Sequence, residues 1–144
     1  MPGVPRILDA NANRAREALR VMEDAARFVL DDEALSRQIK QLRHDLAEAL
    51  SVAGPLDNWR DTPGDVGTAI TTEREMSRAG IFDVAAAAGK RLSEALRSLE
   101  EFGKTLPRTA CGFAPAIESL RYRGYALEQQ LNAALASGRA KQWK

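Results

Sequence analysis

The sequence predicts an all-α fold: a helical bundle built from two pseudo-twofold-related helical hairpins joined by a central loop. Three observations predict it. Apolar residues recur at helical spacing, with no convincing strand alternation. Gly- and Pro-containing stretches divide the chain into a few long helical runs. The two halves also repeat each other: "RAREALRVMED" at 14–24 matches "RLSEALRSLEE" at 91–101 in six of eleven positions at an offset of 77, and "IKQLR" at 39–43 meets "IESLR" at 117–121 at an offset of 78. Two similar hairpins can pack about a twofold axis, each covering an apolar stripe that the other cannot bury alone.

Asp9 is suited to cap a first helix over about 10–30, where Ala, Leu and Arg dominate and β-branched residues are scarce. A second run, about 33–53, carries Leu35, Ile39, Leu42, Leu46 and Ala49 as one stripe, and Gly54-Pro55 stops it. The polar stretch 57–71 shows neither period and reads as a long loop, a kind of segment that is disproportionately functional in compact domains. Thr72, Glu73, Arg74 and Glu75 fit a capping box that opens a run to about residue 106, which Gly80 or Gly89 can interrupt. After a turn region at 107–115, Ile117, Leu120, Leu127 and Leu131 mark a last helix, and the tail from 137 is polar. The expected division is one helical domain over 1–144, with halves at about 9–53 and 73–136 and a ligand loop at 57–71.

Composition agrees with one soluble domain: 144 residues, 44% hydrophobic and 28% charged, are enough for a sizeable core. Lys and Arg number 21 against 20 Asp and Glu, so no basic field argues for nucleic acid or an anionic membrane, and an anion site must be local. The lone Cys111 cannot form an internal disulfide and no signal peptide or long apolar run is visible, which points to a reducing cytoplasm. With His44 the only histidine, Cys–Cys and Cys–His metal clusters are disfavoured. Leu127, Leu131 and Leu135 form a stripe suited either to a homodimer or to internal packing.

Helical geometry separates ordinary charges from odd ones. Leu19, Met22, Ala26, Ala15 and Val29 share one face of the first helix; Arg16, Arg20, Glu23 and Arg27 fall opposite and read as a solvated stripe. Asn11 and Arg14 project instead into the arc of Ala15, Ala18 and Ala25, and Arg91 takes the matching place in the second half. A guanidinium in an apolar arc needs a carboxylate or a phosphate, so two readings stand side by side. One is an internal ion pair with Glu17 or Glu94 of the opposite half; the other is a bidentate phosphate clamp. Arg43 and Arg121 read as structural partners of the repeated glutamates.

The loop "RDTPGDVGT" at 60–68 favours the clamp. Gly64 and Gly67 permit positive φ and close approach to a ligand, while Thr62, Thr68 and backbone N–H groups can donate to phosphate oxygens. Asp61 and Asp65 are carboxylates suited to Mg²⁺, and Arg60 can neutralise charge. Taken alone, "TPGD" is an ordinary turn with an Asx hydrogen bond. The loop is not a P-loop, since "AAGKR" at 87–91 lacks both the spacing and the hydroxyl.

These residues also carry a family resemblance. "RILDANANRAREALRVMEDAARFVLDD" at 6–32, "LRHDL" at 42–46, the 60–68 loop, "EALRSLEEFGK" at 94–104 and "LRYRGYALE" at 120–128 resemble the helical domain found N-terminal to some bacterial thiamine phosphate synthases. That domain also occurs as, and is identified with, a monofunctional hydroxymethylpyrimidine phosphate kinase. The resemblance implies ATP-dependent phosphorylation of hydroxymethylpyrimidine phosphate to the diphosphate, with Mg²⁺, and thiamine phosphate synthase as a pathway partner. The chain departs from the pattern at Ala88, where relatives tend to carry asparagine three residues before Arg91.

The residues suit that reaction, in which one polyanion must be brought up to another by arginines, a metal and oriented amides. Asp61 and Asp65 are expected to serve Mg²⁺, Arg60, Thr62 and Thr68 the ATP phosphates, and Arg14 and Arg91 the substrate phosphate or the transferring group. Gly64 and Gly67 shape the phosphate loop, and Asn11, with donors and an acceptor, can read the aminopyrimidine edge. A competing reading is a non-catalytic helical module that dimerises or regulates a thiamine phosphate synthase, which needs the apolar faces but not both loop aspartates. A nucleic-acid-binding bundle is disfavoured by the near-neutral charge and few aromatics.

Overall fold

The computed structural model describes residues 3–68 and 78–138, apart from the side chains of 57 and 58, and every regular element in them is helical. Helix α1 (Gly3–Asp24) runs into a π-helical turn (Ala25–Val29); α2 spans Glu33–Ser51, α3 Ile81–Gly103 and α4 Phe113–Ala136. Short 3₁₀ turns cover Leu56–Trp59 and Arg108–Ala110. Among the described residues, no helix is long and apolar enough to cross a membrane.

Two helix starts differ from the sequence expectation for one reason. Proline lacks an N–H that the first helical turn does not use, so it is tolerated there. Pro5 and Pro115 both sit in first turns, so α1 opens at Gly3 and α4 at Phe113, earlier than the turn signals imply. Asp9 therefore lies inside α1, buried, and is not a cap. Asp32 does cap, accepting the Leu35 N–H at 2.9 Å and launching α2. The proposed capping box at 72–75 lies outside the described residues; α3 itself opens after Gly80, where the Asp83 carboxylate accepts the Ala79 N–H at 3.1 Å.

α1 packs most extensively on α3 and α3 on α4, with α2–α4 and α1–α2 contacts closing the bundle. The sequence repeat is also a burial repeat. Ala15 and Leu92, Leu19 and Leu96, and Met22 and Leu99 occupy the core at an offset of 77, as do Ile39 and Ile117, and Leu42 and Leu120, at 78. One compensated exchange marks a difference between the halves. Phe113 stands where the first half has Leu35, and Gly103 where it has Ala26; a Cβ on Gly103 would lie 2.5 Å from the Phe113 ring, so the larger ring requires the smaller neighbour.

Two further expectations are corrected. Glu23 is not on a solvated stripe but 6% exposed, because α1 is covered by α2 as well as by α3 and its apolar arc alone does not define its buried side. Leu127 and Leu131 are core residues and Leu135 packs against the core, so this stripe is internal and no longer argues for a homodimer.

Candidate functional site

The residues of α1 that face away from the core form a stripe at helical spacing, Gly3, Arg6, Ala10, Asn13 and Arg14, and this stripe is one wall of a cavity of about 670 Å³. The loop following α2 supplies the opposite wall through Trp59, Arg60, Asp61, Thr62 and Asp65, and Ser98 and Phe102 of α3 contribute from the second half. The volume lies within the range of about 300–1,000 Å³ usual for small-molecule sites. Three arginines (Arg6, Arg14, Arg60) and three aspartates (Asp9, Asp61, Asp65) line it.

One contact fastens the loop to the helix. Arg60 donates from Nε and Nη2 to the two oxygens of Asp9, each at 3.0 Å. The Asp9 side chain is 6% exposed and that of Arg60 47%, so a buried carboxylate is neutralised by a guanidinium that reaches in from the cavity edge. Arg60 was expected to serve phosphates; Asp9 was expected only to cap. Their separation of 51 residues left the pairing invisible to any local pattern.

Inside the cavity wall, Asn11 is buried, donating from Nδ2 to the Ile7 carbonyl at 3.0 Å and accepting a weak contact from Arg14 Nη1 at 3.4 Å. Arg14 is exposed rather than sunk in an apolar arc, because it faces the cavity. Six of the ten residues singled out from the sequence thus line one space: Asn11, Arg14, Arg60, Asp61, Thr62 and Asp65.

Gly64, Gly67 and Thr68 do not line it but build the loop. The Asp61 Oδ1 accepts the Gly64 N–H at 3.0 Å and the Asp65 Oδ1 accepts the Gly67 N–H at 2.8 Å, while Thr68 Oγ1 donates to the Asp65 carbonyl at 3.0 Å. The positive φ expected at Gly64 and Gly67 is absent; among the described glycines it occurs at Gly54 and Gly138. A Cβ at Gly64 would lie 2.2 Å from the Asp61 carboxylate, so the close approach of that side chain to the Gly64 amide uses the missing side chain. The Asx turn anticipated from "TPGD" is therefore real, and each aspartate keeps one oxygen that has no partner among the described residues.

Arg91 lies apart. It donates to both oxygens of Glu17 at 3.2 and 3.3 Å, the ion-pair reading of this residue, and does not line the cavity. The repeat explains why: the positions matching Asp9 and Asn11 are Ala86 and Ala88, so the second half repeats the scaffold without the polar side chains. Among the described residues, no three Asp, Glu, His or Cys side chains converge to hold a metal by themselves. A magnesium ion bound with a nucleotide needs only one or two carboxylates, because phosphates and waters complete its shell. The uncommitted oxygens of Asp61 and Asp65 fit that requirement.

The fold and cavity define a duplicated helical domain with a polar, charge-balanced cleft among the described residues. The chain belongs to the ThiD2 family, which it matches over residues 6–130. It is similar to proteins named thiamine-phosphate synthase from Rhodopirellula baltica (49% identical over 98% of this chain and 37% of the relative) and Synechocystis sp. (46% over 89% and 36%). A third, from Nostoc punctiforme, is 44% identical over 89% of this chain and 35% of its own length. The chain thus spans little more than a third of these relatives, and the likeness supports a helical domain linked to thiamine-phosphate synthase more directly than it supports a kinase. No solved structure gives a significant match.

Proposed function

We propose that the chain phosphorylates hydroxymethylpyrimidine phosphate to the diphosphate with ATP, as the helical domain of a thiamine-forming system. The observation that supports this most is the pairing of three arginines with three aspartates around one cavity. Such a lining is neutral overall, so it favours a polyphosphate that arrives with its own cation: arginines meet the phosphates and carboxylates meet the metal.

In the transfer, a lone pair on a substrate phosphate oxygen forms the new bond to the γ-phosphorus. The bond from that phosphorus to the β,γ-bridging oxygen breaks, with its electron pair leaving on ADP. The attacking phosphate is largely dianionic near neutrality because its second pKa is about 6, so no strong general base is required. That agrees with a cavity lined by neither His nor Cys. Arg14 and Arg60 would draw charge from the phosphoryl oxygens, and Thr62 would donate to a phosphate. Mg²⁺, held by Asp61 and Asp65, would supply neutralisation of the β- and γ-oxygens. Incubation of the purified chain with MgATP and hydroxymethylpyrimidine phosphate, followed by mass spectrometry, tests the reading: the diphosphate is expected, and its absence refutes the kinase.

A second reading has specific support. The relatives are named for the synthase, and the loop aspartates already serve their own backbone amides, as a purely structural turn requires. On that reading the chain is a non-catalytic domain that dimerises or regulates a thiamine phosphate synthase. It predicts no diphosphate, and a synthase rate that changes when the domain is removed.

A further inference from the structure

A second cavity, of about 240 Å³, adjoins the first, and Asp9 and Arg60 line both. Its remaining walls are different in kind. Ala12, Leu50 and Leu56 are apolar, Ser51 ends α2 and Gly54 lies in the turn after it, and Arg16 supplies a second guanidinium. Gly54 turns the chain there with φ 89°, and a Cβ on it would meet nothing within 4 Å, so the turn leaves the space open. Arg16 is held by Asn13, whose Oδ1 accepts its Nη2 at 2.6 Å, and Asn13 itself faces the larger cavity.

The two compartments differ in charge. The larger balances three arginines with three aspartates, whereas the smaller has Arg16 and Arg60 against Asp9 alone, and Asp9 is already doubly bonded to Arg60. Surplus guanidinium favours an anion that brings no cation, whereas a balanced lining leaves carboxylates with which a cation can be held. We infer that the smaller cavity is a metal-free subsite for a phosphate monoester, with Arg16 as its binding residue and Arg60, which lines both cavities, at the junction where the monoester phosphate meets the metal–nucleotide compartment.

This rests on the kinase reading for the identity of the monoester, but not for the existence of the subsite. The apolar wall at Ala12, Leu50 and Leu56 suits a small ring attached to the phosphate, and 240 Å³ is below the usual range for a larger ligand. Arg16, read from the sequence as part of a solvated stripe, is half-buried and becomes a specificity residue.

The test separates the compartments by ligand. Binding of hydroxymethylpyrimidine phosphate in EDTA, and of MgATP separately, is measured by calorimetry for the wild type, Arg16→Gln and Arg14→Gln. Arg16→Gln is expected to weaken the pyrimidine phosphate at least tenfold and to leave MgATP within twofold, which also certifies that the variant is folded; Arg14→Gln is expected to do the reverse. Unchanged pyrimidine phosphate binding in Arg16→Gln, equal losses for both ligands, or a strict requirement of the monoester for Mg²⁺ overturns the subsite. Failure of the kinase reading is distinguishable: the two variants still separate the ligands, but no diphosphate forms from the wild type.

Discussion

Arg121 donates from Nε to the Oε2 of Glu100 at 2.8 Å, joining α4 to α3 with the two side chains only 10% and 3% exposed. The first half contains the same pair one repeat earlier, Arg43 to Glu23 at 3.4 Å. The two clasps occupy matching positions in the duplicated hairpins, but they are not equally good. Arg43 Nε is buried without a partner, whereas Arg121 gains a contact to Tyr125 Oη at 3.5 Å and lies over the Tyr122 ring at 4.9 Å.

The first prediction follows from that inequality. Arg121→Met removes the main partner of a buried carboxylate, and a loss of about 3–5 kcal/mol is the usual consequence, at the low end here because Arg97 remains 3.3 Å from Glu100. Arg43→Met should cost less, since it removes a long contact and an unsatisfied donor together. Urea melts of the two variants check the order. Equal losses would mean that the better geometry adds nothing.

A pH effect follows from the same residue. Burial by itself pushes the Glu100 carboxyl up, but the hydrogen bond and charge of Arg121, aided by Arg97, overcome it and hold the group below its ordinary value of 4.5. A carboxyl lowered in the folded state binds fewer protons folded than unfolded, so its contribution to stability is full above about pH 4.5 and is lost as pH falls through the lower folded value. Wild type should therefore lose more stability than Glu100→Gln between pH 5 and about pH 3. Parallel denaturant melts that fall by the same amount would remove Glu100 from the acid response.

The arginines at 14 and 91, matched in sequence, should behave differently. Arg91 and Glu17 are 37% and 56% exposed, and pairs of that kind contribute about 0–1 kcal/mol. Arg91→Met should therefore lower the melting temperature slightly and leave turnover near wild type. Arg14→Met should keep stability level and reduce turnover by at least two orders of magnitude, because its guanidinium faces the cavity rather than a carboxylate. Measuring both variants side by side decides it; equal turnover losses would return Arg91 to the chemistry.

The loop offers a contrast between charge and shape. Asp61→Asn keeps an oxygen to accept the Gly64 N–H, so stability should be unchanged while a metal-dependent turnover falls at least tenfold. Gly64→Ala keeps both carboxylates but puts a Cβ where the Asp61 carboxylate lies, so that carboxylate must swing away from its place and the apparent magnesium requirement should rise. Magnesium titrations of turnover distinguish the two. A normal titration in both variants would make the segment only a turn.

How much of this was legible depends on whether a residue's partner lies within its own helix. The duplicated hairpins were visible because the repeat leaves identical residues at matching core positions, such as Leu19 with Leu96 and Ile39 with Ile117. Asn11, Arg14 and the loop residues could be picked out as polar groups in odd places. Glu23, Asp9 and Arg16 could not, since what covers or pairs with each depends on packing between elements far apart in the chain. Arg91 was misleading for the opposite reason: the repeat preserves the arginine while replacing its polar neighbours with Ala86 and Ala88.

The packing of α1 chiefly on α3 has a kinetic consequence. These contacts join residues far apart in the chain, as Glu17 and Arg91 are at 74 positions, so the closure entropy of a long segment must be met before the main core can form. A hairpin of α1 and α2 alone leaves Ala15, Leu19 and Met22 without the α3 surface that buries them, and so is not an autonomous folding unit. Collapse and docking of the halves then become one event, and synthesis of the chain on the ribosome leaves the first half waiting, apolar face uncovered, until the second emerges.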